Sequence, residues 1–424
     1  MSHRLHQHLL QQHRGIPTGI YSVCSAHPWV VRAAAEQAVE DGSLLLIEAT
    51  SNQVNQFGGY TGMRPADFRS FVLKHAAEAG LDHSRLILGG DHLGPNPWRS
   101  MPAAEAMTRA ETMVAEYVAA GYTKIHLDAS MACADDATHP SDEIVAERAA
   151  RLCRVAEAAY VSGDSPIYVI GTEVPVPGGA THAVHELAAT STEAAAQTLA
   201  VHKRIFEQQV PGVWDRVIAL VVQPGVEFDH DAVIDYEPAK AAQLSAWLRA
   251  QPEPIVFEAH STDYQLPDAY TALVRDGFAI LKVGPGLTFA MREALDALED
   301  IEAQLVEEPR RSKLSMVLET AMLREPENWL PYYTGSAAHQ ALLRRYSYSD
   351  RVRYYWAKPE VNKAVDQLIS NLAATTIPES MLSRYLPAQY LRMREGKISA
   401  DPASLIVDRI RDVLRNYAAA CRPV

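Results

Sequence analysis

Short aliphatic runs recur at a regular spacing up to about residue 290. Each run is rich in Ile, Val and Leu and ends in polar residues or glycine; the runs are 19–26, 44–50, 85–92, 124–130, 167–173, 217–225, 254–260 and 279–286. Amphipathic stretches with helical spacing lie between them, for example 28–41, 103–121, 141–163 and 191–209. Near-continuous apolar runs are typical of parallel strands buried on both faces, so the pattern predicts eight strand–helix units.

Eight such units predict an α/β fold of the (β/α)8 TIM-barrel type. A doubly wound sheet is the alternative, but no GxGxxG turn follows any run, and no P-loop pattern occurs, which counts against a P-loop kinase. The alternation stops near residue 305. We therefore expect a barrel with an N-terminal helix over residues 1–305 and a helical C-terminal extension over residues 306–424. Its aromatic residues are expected to pack rather than to stack on a ligand.

Composition limits the classes of partner. The chain has 424 residues and a formal charge of −13, which argues against a nucleic-acid partner. No run approaches the ~20 apolar residues of a membrane span. The four cysteines form no CxxC pair, so we expect neither a disulfide framework nor a cysteine zinc site, and a cytoplasmic location. The polar N-terminal stretch "MSHRLHQHLLQQHRG" predicts a solvated helix rather than a signal peptide.

Every predicted strand ends in polar side chains, which is where barrel enzymes carry their active sites. In chain order these are Ser25; Glu48, Asn52 and Gln53; Asp91 and His92; His126 and Asp128; Glu173; Gln223; Glu258, His260, Asp263 and Tyr264; and Lys282 and Gly284. Glu48 and Glu258 lie inside apolar runs, where a carboxylate needs a partner charge or a metal. For Glu48, an ion pair within the barrel is an alternative to a role in binding.

The sharper prediction is a metal site. His92, Glu173 and His260 offer two imidazoles and a carboxylate, and Gln223 offers a further oxygen; this set suits a divalent Zn, Mn, Ni or Co ion. Neighbouring strand residues point to opposite sides, so Asp91 is assigned as acid/base rather than ligand. The loop that begins at Gly284 precedes a helix and is predicted to hold a phosphate or a sugar hydroxyl, with a plain turn as the alternative.

Eight motifs together closely resemble the large-subunit family of class II D-tagatose-1,6-bisphosphate aldolase: "SVCSAHP", "IEATSNQVNQFGGYTG", "LGGDHLGPN", "KIHLDAS", "GTEVPVPGG", "VVQPGVEFDH", "EAHSTDYQ" and "LKVGP". The resemblance continues into the tail at "YSYSDRVRYYW" and "YLPAQY". It implies a barrel similar to class II aldolases, whose Asp-His pair and later histidines are matched by Asp91, His92 and His260. Gln223 stands where a second later histidine is expected, which is a departure from the aldolase site.

The resemblance implies one of three activities. Some members assist a separate catalytic aldolase subunit; others look like metal-dependent epimerases that interconvert fructose and tagatose at C4; the third possibility is an aldolase in its own right. We expect the epimerase, with the accessory subunit as the alternative, a ketose or ketose phosphate as ligand and a homo-oligomer. Asp91 is the predicted proton shuttle on one face of the sugar, with Asp128 or Glu258 on the other. Lys282 and Tyr264 are predicted to hold hydroxyls, and Ser25, Glu48, Asn52, Gln53, His126, Asp263 and Gly284 to bind substrate as well.

Overall fold

The eight predicted strands close into one barrel. The computed structural model describes residues 3–174 and 187–422. The strands are β1 (Ile20–Val23), β2 (Leu45–Thr50), β3 (Leu86–Leu93), β4 (Lys124–Leu127), β5 (Ile167–Ile170), β6 (Val217–Val221), β7 (Val256–Ala259) and β8 (Phe278–Val283). Each strand pairs with the next in parallel, and β8 pairs with β1, so the predicted (β/α)8 barrel is confirmed.

Helices surround the barrel and form the C-terminal extension. They are α1 (Arg4–His13), α2 (Pro28–Asp41), α3 (Pro65–Glu78), α4 (Ala103–Ala119), α5 (Asp142–Ala159), α6 (Thr192–Gln209), α7 (Pro238–Arg249), α8 (Pro267–Arg275), α9 (Pro285–Leu305), α10 (Leu314–Arg324), α11 (Ala337–Tyr346), α12 (Pro359–Ala373), α13 (Glu379–Tyr385), α14 (Pro387–Arg394) and α15 (Pro402–Cys421). A short hairpin, Glu227–Phe228 with Val233–Ile234, follows β6. Ser141 and Ser191 accept backbone N–H groups at the start of α5 and α6, as N-cap serines do.

The N-terminal helix α1 closes the bottom of the barrel. Leu5 and Leu9 are 0% and 2% exposed and pack into the apolar cluster inside the barrel. His8 and His13 contact strand-end carbonyls of Gly19 and Ile255 at 2.9 and 2.7 Å. The expectation of a solvated helix was therefore wrong, because the two leucines form a buried face that the many polar residues concealed.

The barrel interior is built in layers. Its lower layer is apolar and contains Ile20, Leu46, Ile87, Ile167, Ile218, Val256 and Ile280. Side chains of a strand face the same side every second residue. The next inward positions are therefore Ser22, Glu48, Glu258 and Lys282, and all are buried. A charged layer thus lies directly above the apolar one, towards the C-terminal ends of the strands.

The C-terminal extension packs on the barrel through α15. This helix contacts α2, α8, α9 and β1, and the Tyr417 hydroxyl donates to the Thr262 carbonyl at 2.9 Å. Residues of the barrel helices and of the extension belong to one hydrophobic cluster. The segment around Asp350 returns to the mouth of the barrel, where Asp350 accepts from Thr288 at 2.6 Å and pairs with Arg292 at 3.0 Å.

Two further expectations bear on the chain as a whole. All four cysteines are free, as their spacing predicts. Within residues 3–174 and 187–422, no helix combines the length and the apolar character needed to span a bilayer.

Candidate active site

Strand β3 breaks its alternation at Asp91 and His92. Its register with β4 shifts between Gly90 and Leu93, and His92 has a φ of 50°. A left-handed backbone is uncommon outside glycine and is found preferentially where function demands it. Because of this irregularity Asp91 and His92 line the same cavity. The strand alternation therefore does not separate a ligand from an acid/base at these two positions.

The cavity at the mouth of the barrel encloses about 640 Å³, including its open end. Strand ends, the loop after β2 and the C-terminal extension all contribute to it. Its polar lining consists of Cys24, Thr50, Asn52, Gln53, Tyr60, Asp91, His92, His260, Ser261, Asp263, Lys282, Arg353 and Tyr354.

The charged layer lies directly beneath the cavity. Lys124 bridges Glu48 and Glu258, with N–O distances of 2.7 and 2.5 Å. Lys282 contacts Glu48 and lies 2.8 Å from Asp91 and 3.5 Å from Glu258. These contacts agree with the alternative interpretation, in which Glu48 forms an ion pair within the barrel. It also accepts a hydrogen bond from Ser22 at 2.7 Å.

A glycine makes room for this layer. A Cβ placed on Gly89, which pairs with Glu48 across β2 and β3, would overlap the Glu48 carboxylate. Of the two glycines before Asp91, the first therefore leaves space for a buried carboxylate.

Three histidine rings lie close together above the charged layer. The ring centroids of His92, His126 and His260 are 4.8 to 5.3 Å apart in all three pairs. Each ring has a carboxylate on one nitrogen. His92 Nδ1 lies 2.8 Å from Asp128, His126 Nδ1 lies 2.9 Å from Asp91, and His260 Nε2 lies 3.0 Å from Glu258. Carboxylates in this position orient metal-binding imidazoles.

Burial and neighbouring charges set the protonation of these groups. Burial lowers the pKa of His260 to about 4, so the imidazole is neutral at pH 7. Burial alone would raise the pKa of Asp91, but the charges of His92 and Lys282 hold it well below its usual range. Burial lowers the pKa of His92, as it does that of His260. The nearby carboxylates of Asp91 and Asp128 outweigh this effect and raise the pKa of His92 above its ordinary value.

The donors present fit a divalent cation. Asp91, His126, Glu258 and His260 offer ligand atoms that all lie within 4.8 Å of one another. His126 Nε2 is buried and has no hydrogen-bond partner among the described residues. Imidazoles around a tetrahedral ion at 2.0–2.1 Å would have centroids roughly 5 Å apart, close to the spacing here.

The charge balance points the same way. The buried cluster holds four carboxylates, Glu48, Asp91, Asp128 and Glu258, against the two ammonium groups of Lys124 and Lys282. With the three histidines neutral, as metal-bound imidazoles are, two negative charges remain, and a buried charge is costly unless it is paired or bound to a metal.

Two predicted ligands do not join this group. Glu173 accepts a hydrogen bond from Thr190 at 2.6 Å, and Gln223 Oε1 accepts the N–H groups of Gly225 and Val226 at 2.8 and 3.0 Å. Neither lines the cavity. Their assignment as ligands stays a prediction that these contacts do not support. The Pro/Gly-rich residues 175–186 after Glu173 lie outside the described residues.

Asp128 and Glu258 are buried behind the histidines rather than at the cavity wall. Asp128 accepts from Ser130 at 2.6 Å as well as contacting His92, and it is 1% exposed. Glu258 is 0% exposed between Lys124 and His260. Their predicted role as acid/base groups facing the sugar does not match these positions, because neither carboxylate lines the cavity.

The predicted substrate-binding residues divide into two sets. Asn52, Gln53, Asp263 and Gly284 line the cavity, and Ser25 lines an adjoining one of about 840 Å³. His126 lies with the other histidines, and Tyr264 instead donates to the Tyr348 carbonyl at 2.7 Å. Lys282 lines the cavity, but carboxylates take its donors.

The loop at Gly284 is already occupied by a side chain. Asp263 Oδ1 accepts the N–H groups of Gly284 and Gly286 at 3.0 and 2.8 Å. These amides are the ones that a phosphate at the start of α9 would use. Of the two interpretations of this loop, the plain turn describes the contacts.

Several residues of the cavity wall and of the charged layer beneath it were not predicted. Lys124 shares a face with His126 and Asp128 by its spacing of two, a signal that strand periodicity offers. Cys24 ends β1, and Tyr60 lies in the long loop after β2. Arg353 and Tyr354 come from the extension, about 70 residues after β8, and no periodicity points to them. Most aromatics of the extension do pack, as expected, for example Tyr333 and Tyr355 at 1% and 0% exposure.

Comparison with known proteins places the chain in a family. The family model described as D-tagatose-1,6-bisphosphate aldolase subunit GatZ/KbaZ-like matches residues 5–422. A crystal structure from Sinorhizobium meliloti 1021, described as a probable tagatose 6 phosphate kinase, is 50% identical, with a TM-score of 0.88 over 95% of this chain and 100% of that chain.

Two aldolase structures are far more distant. Fructose-bisphosphate aldolase from Campylobacter jejuni is 12% identical, with a TM-score of 0.47 over 87% of this chain and 91% of that one. The YdjI aldolase from Escherichia coli K12 is 11% identical, with a TM-score of 0.40 over 88% and 98%. Likeness at this level does not bear on the chemistry of the site.

Proposed function

The chain belongs to the D-tagatose-1,6-bisphosphate aldolase subunit GatZ/KbaZ-like family, and on that premise we propose that it is a divalent-metal-dependent ketohexose 4-epimerase that interconverts D-fructose and D-tagatose. The family places the protein in carbohydrate metabolism related to tagatose aldolase. The observation that carries the finer proposal is the triangle of His92, His126 and His260 beside Asp91, with centroids 4.8 to 5.3 Å apart.

A scaffold has no physical need for this cluster. Buried ion pairs frequently contribute little to stability, because desolvation offsets the attraction between the charges. The backbone of His92 is also held in an uncommon conformation. Strain and uncompensated charge at one cavity are the pattern that catalytic sites show.

We assign His126 and His260, which belong to the donor group described above, together with His92 from the sequence-based set as the residues that would hold the ion, with Glu173 and Gln223 as the sequence-based alternatives to His126. Asp128 and Glu258 then orient two of the imidazoles rather than move protons. An ion bound there would supply Lewis-acid stabilisation of the negative charge that develops on the ketose carbonyl oxygen. Zn, Mn, Ni and Co all accept imidazole ligands.

Asp91 is the proton carrier at the cavity wall. Its carboxylate is ionised at neutral pH, and Lys282 holds it at 2.8 Å. It accepts the proton of the C4 hydroxyl as the C3–C4 bond breaks, and the bond electrons pass to C3 and the C2 carbonyl. The aldehyde fragment stays in the cavity and turns its other face. The C3–C4 bond re-forms on the other face of the aldehyde, and the C4 oxygen takes the proton back from Asp91.

The test is turnover by the purified chain. We expect the protein with Mn²⁺, Ni²⁺, Co²⁺ or Zn²⁺ to convert D-fructose and D-tagatose into each other, and EDTA to abolish the conversion. Chromatography of the two sugars measures it. A metal-loaded protein that converts neither sugar nor their phosphates would refute the proposal.

Metal content of variants tests the ligand assignment. His92→Ala, His126→Ala and His260→Ala are each expected to lose bound metal, measured by mass spectrometry of the dialysed protein. His202→Ala is the matched control, because His202 is a buried imidazole on α6, outside the cluster. Full metal content in His126→Ala with loss in Glu173→Ala would favour the sequence-based set.

The second candidate is an accessory subunit of a class II aldolase, which the family description favours because it names a subunit. It predicts no turnover alone and a higher rate or melting temperature for a co-expressed catalytic aldolase. An aldolase in its own right would instead release triose products from a ketohexose bisphosphate. Self-association into a homo-oligomer stays a prediction that sedimentation tests.

A further inference from the structure

We propose that the C-terminal extension supplies an anion-recognising residue, Arg353, which selects ketoses bearing a phosphate or carboxylate group at the end remote from the three histidines. The inference rests on the proposed function for the sugar itself. It goes beyond it by naming a specificity residue and by placing that residue in the C-terminal extension.

Arg353 reaches the cavity from outside the barrel. It lines both the cavity above Asp91 and the adjoining one of about 840 Å³, together with Gln53, Tyr60 and Tyr354. The two cavities share these walls, and His92 and His260 line only the first of them. A sugar bound through its C2–C4 portion at the histidines would extend towards the wall that Arg353 forms.

The hydrogen-bond acceptors of the Arg353 guanidinium are all uncharged groups. Its N–H groups contact the carbonyls of Ser349 and Asp350 and donate to the Tyr354 hydroxyl at 3.1 Å. Among the described residues, no carboxylate oxygen lies within 4.0 Å of the Arg353 guanidinium, which is the limit for an ion pair. Asp350 and Asp263 interact with it electrostatically without forming an ion pair, so this half-buried cation in the cavity wall can complement an anionic ligand group.

Other cations and amides of the cavity are already engaged. Lys282 is surrounded by Glu48, Asp91 and Glu258. Asp263 takes the amides of Gly284 and Gly286 at the start of α9. Arg353 is therefore the permanent cation, among the described cavity residues, that is left for an incoming anion.

The two guanidinium groups favour negative charge at Tyr354. Burial would raise the pKa of the Tyr354 phenol, but the neighbouring guanidinium groups of Arg353 and Arg351 lower it below its ordinary value. The Tyr60 ring lies 4.6 Å from the Tyr354 ring and forms the wall beside it.

The fold holds Arg353 in place at a cost in backbone strain. Asp350 has a φ of 42° and is 1% exposed. Its carboxylate is fixed by Thr288 and Arg292, both on α9, the helix that follows β8. The turn that presents Arg353 is thus anchored to the barrel and not to the extension alone.

Binding of four probes tests the inference by calorimetry on the full chain. The probes are D-fructose, D-fructose 6-phosphate, D-fructuronate and inorganic phosphate, so that a sugar phosphate, a sugar carboxylate and free phosphate are distinguished. We expect the wild type to bind at least one anionic sugar about 10-fold or more tighter than D-fructose, as a charge-assisted contact gives. Arg353→Gln should weaken that sugar about 10- to 100-fold and change D-fructose affinity less than about 2-fold.

Two controls keep the test sharp. Arg345→Gln makes the same charge change in an exposed arginine of the extension and should leave all affinities unchanged. Arg353→Lys keeps the charge without the fork and should retain part of the preference, and it replaces the glutamine variant if that one fails to fold.

Equal affinity of the wild type for neutral and anionic sugars would overturn the inference, as would an equal loss for both in Arg353→Gln. Epimerisation of D-fructose without such a preference leaves the proposed function standing and removes the inference. Arg353-dependent binding of an anionic sugar without any epimerisation would support the inference and count against the proposed function.

Discussion

Replacing Lys124 with methionine removes the cation that lies between Glu48 and Glu258. The ammonium group is 0% exposed and sits 2.7 and 2.5 Å from the two carboxylates. Removing one partner of a buried ion pair leaves an uncompensated charge and costs about 3–5 kcal/mol. Here two carboxylates lose their partner at once, while Lys282 remains near both. We therefore expect the free energy of unfolding to fall by about 3–5 kcal/mol.

Urea unfolding followed by circular dichroism measures this loss. In a chain of this size the same change lowers the melting temperature by about 3–6 °C, from the usual unfolding entropy per residue. Lys203→Met is the matched control, because its ammonium group also lies 2.5 Å from a carboxylate, that of Glu253, but on the surface. An exposed pair is worth about 0–1 kcal/mol.

The substitution and the shortest contact, 2.5 Å, are the same in both variants, which differ in burial and in the number of carboxylates contacted. Equal stabilities of Lys124→Met and Lys203→Met would refute the view that the layer is a tightly coupled buried network. A rescue of Lys124→Met by Glu258→Gln, which removes one of the two unpaired charges, would support it further.

Three further predictions concern other parts of the molecule. Asp128→Asn should lower metal affinity about 10- to 100-fold in an EDTA competition, because Asp128 orients His92 at 2.8 Å; an unchanged affinity would contradict that role. Leu5→Ala should cost about 2–5 kcal/mol in urea unfolding, since Leu5 is 0% exposed at the barrel bottom, whereas Gln7→Ala on the exposed face of α1 should cost little. Burial lowers the pKa of His202 to about 4, below the 6.5 of an unfolded histidine. The unfolded state therefore takes up this proton first, and stability falls as the pH drops from about 6.5 to 4, by about 3 kcal/mol for this group. His202→Gln should remove that part of the slope in unfolding curves measured across this range, and an unchanged slope would show that His202 does not titrate in this way.

The barrel was predictable because its signal repeats. Eight apolar runs with helices between them leave few architectures, and β-strand periodicity places every second side chain inward. Helix α2 occupies residues 28–41, the predicted stretch, because Pro28 starts it and Gly42 ends it in a left-handed conformation. Helix α1 was misjudged for the opposite reason. Only two of its side chains are deeply buried, so its composition resembles that of a solvated helix.

Strand periodicity also predicted most residues of the site. It brought Asp91, His92, Lys282 and His260 to one cavity, and it would have found Lys124 two residues before His126. It assigned Asp91 and His92 to different sides, because a strand irregularity at a left-handed histidine leaves no mark in composition. Glu173 and Gln223 follow their strands as expected, but their side chains satisfy local loop groups instead. Arg353 depends on how a distant helical segment packs, which no local pattern encodes.

The charged layer and the cavity above it are parts of one arrangement. Lys282 contacts Glu48 below and Asp91 above, so the layer fixes the charge state of the proposed proton carrier. Glu258 is shared between Lys124 and His260, so it links the layer to the histidine triangle as well. A substitution at Lys124, which does not line this cavity, therefore acts on Asp91 and His260 through shared carboxylates. The desolvation cost of the buried charges is therefore tied to the site: the same contacts that link the strands set the protonation of Asp91 and His260, which line the cavity.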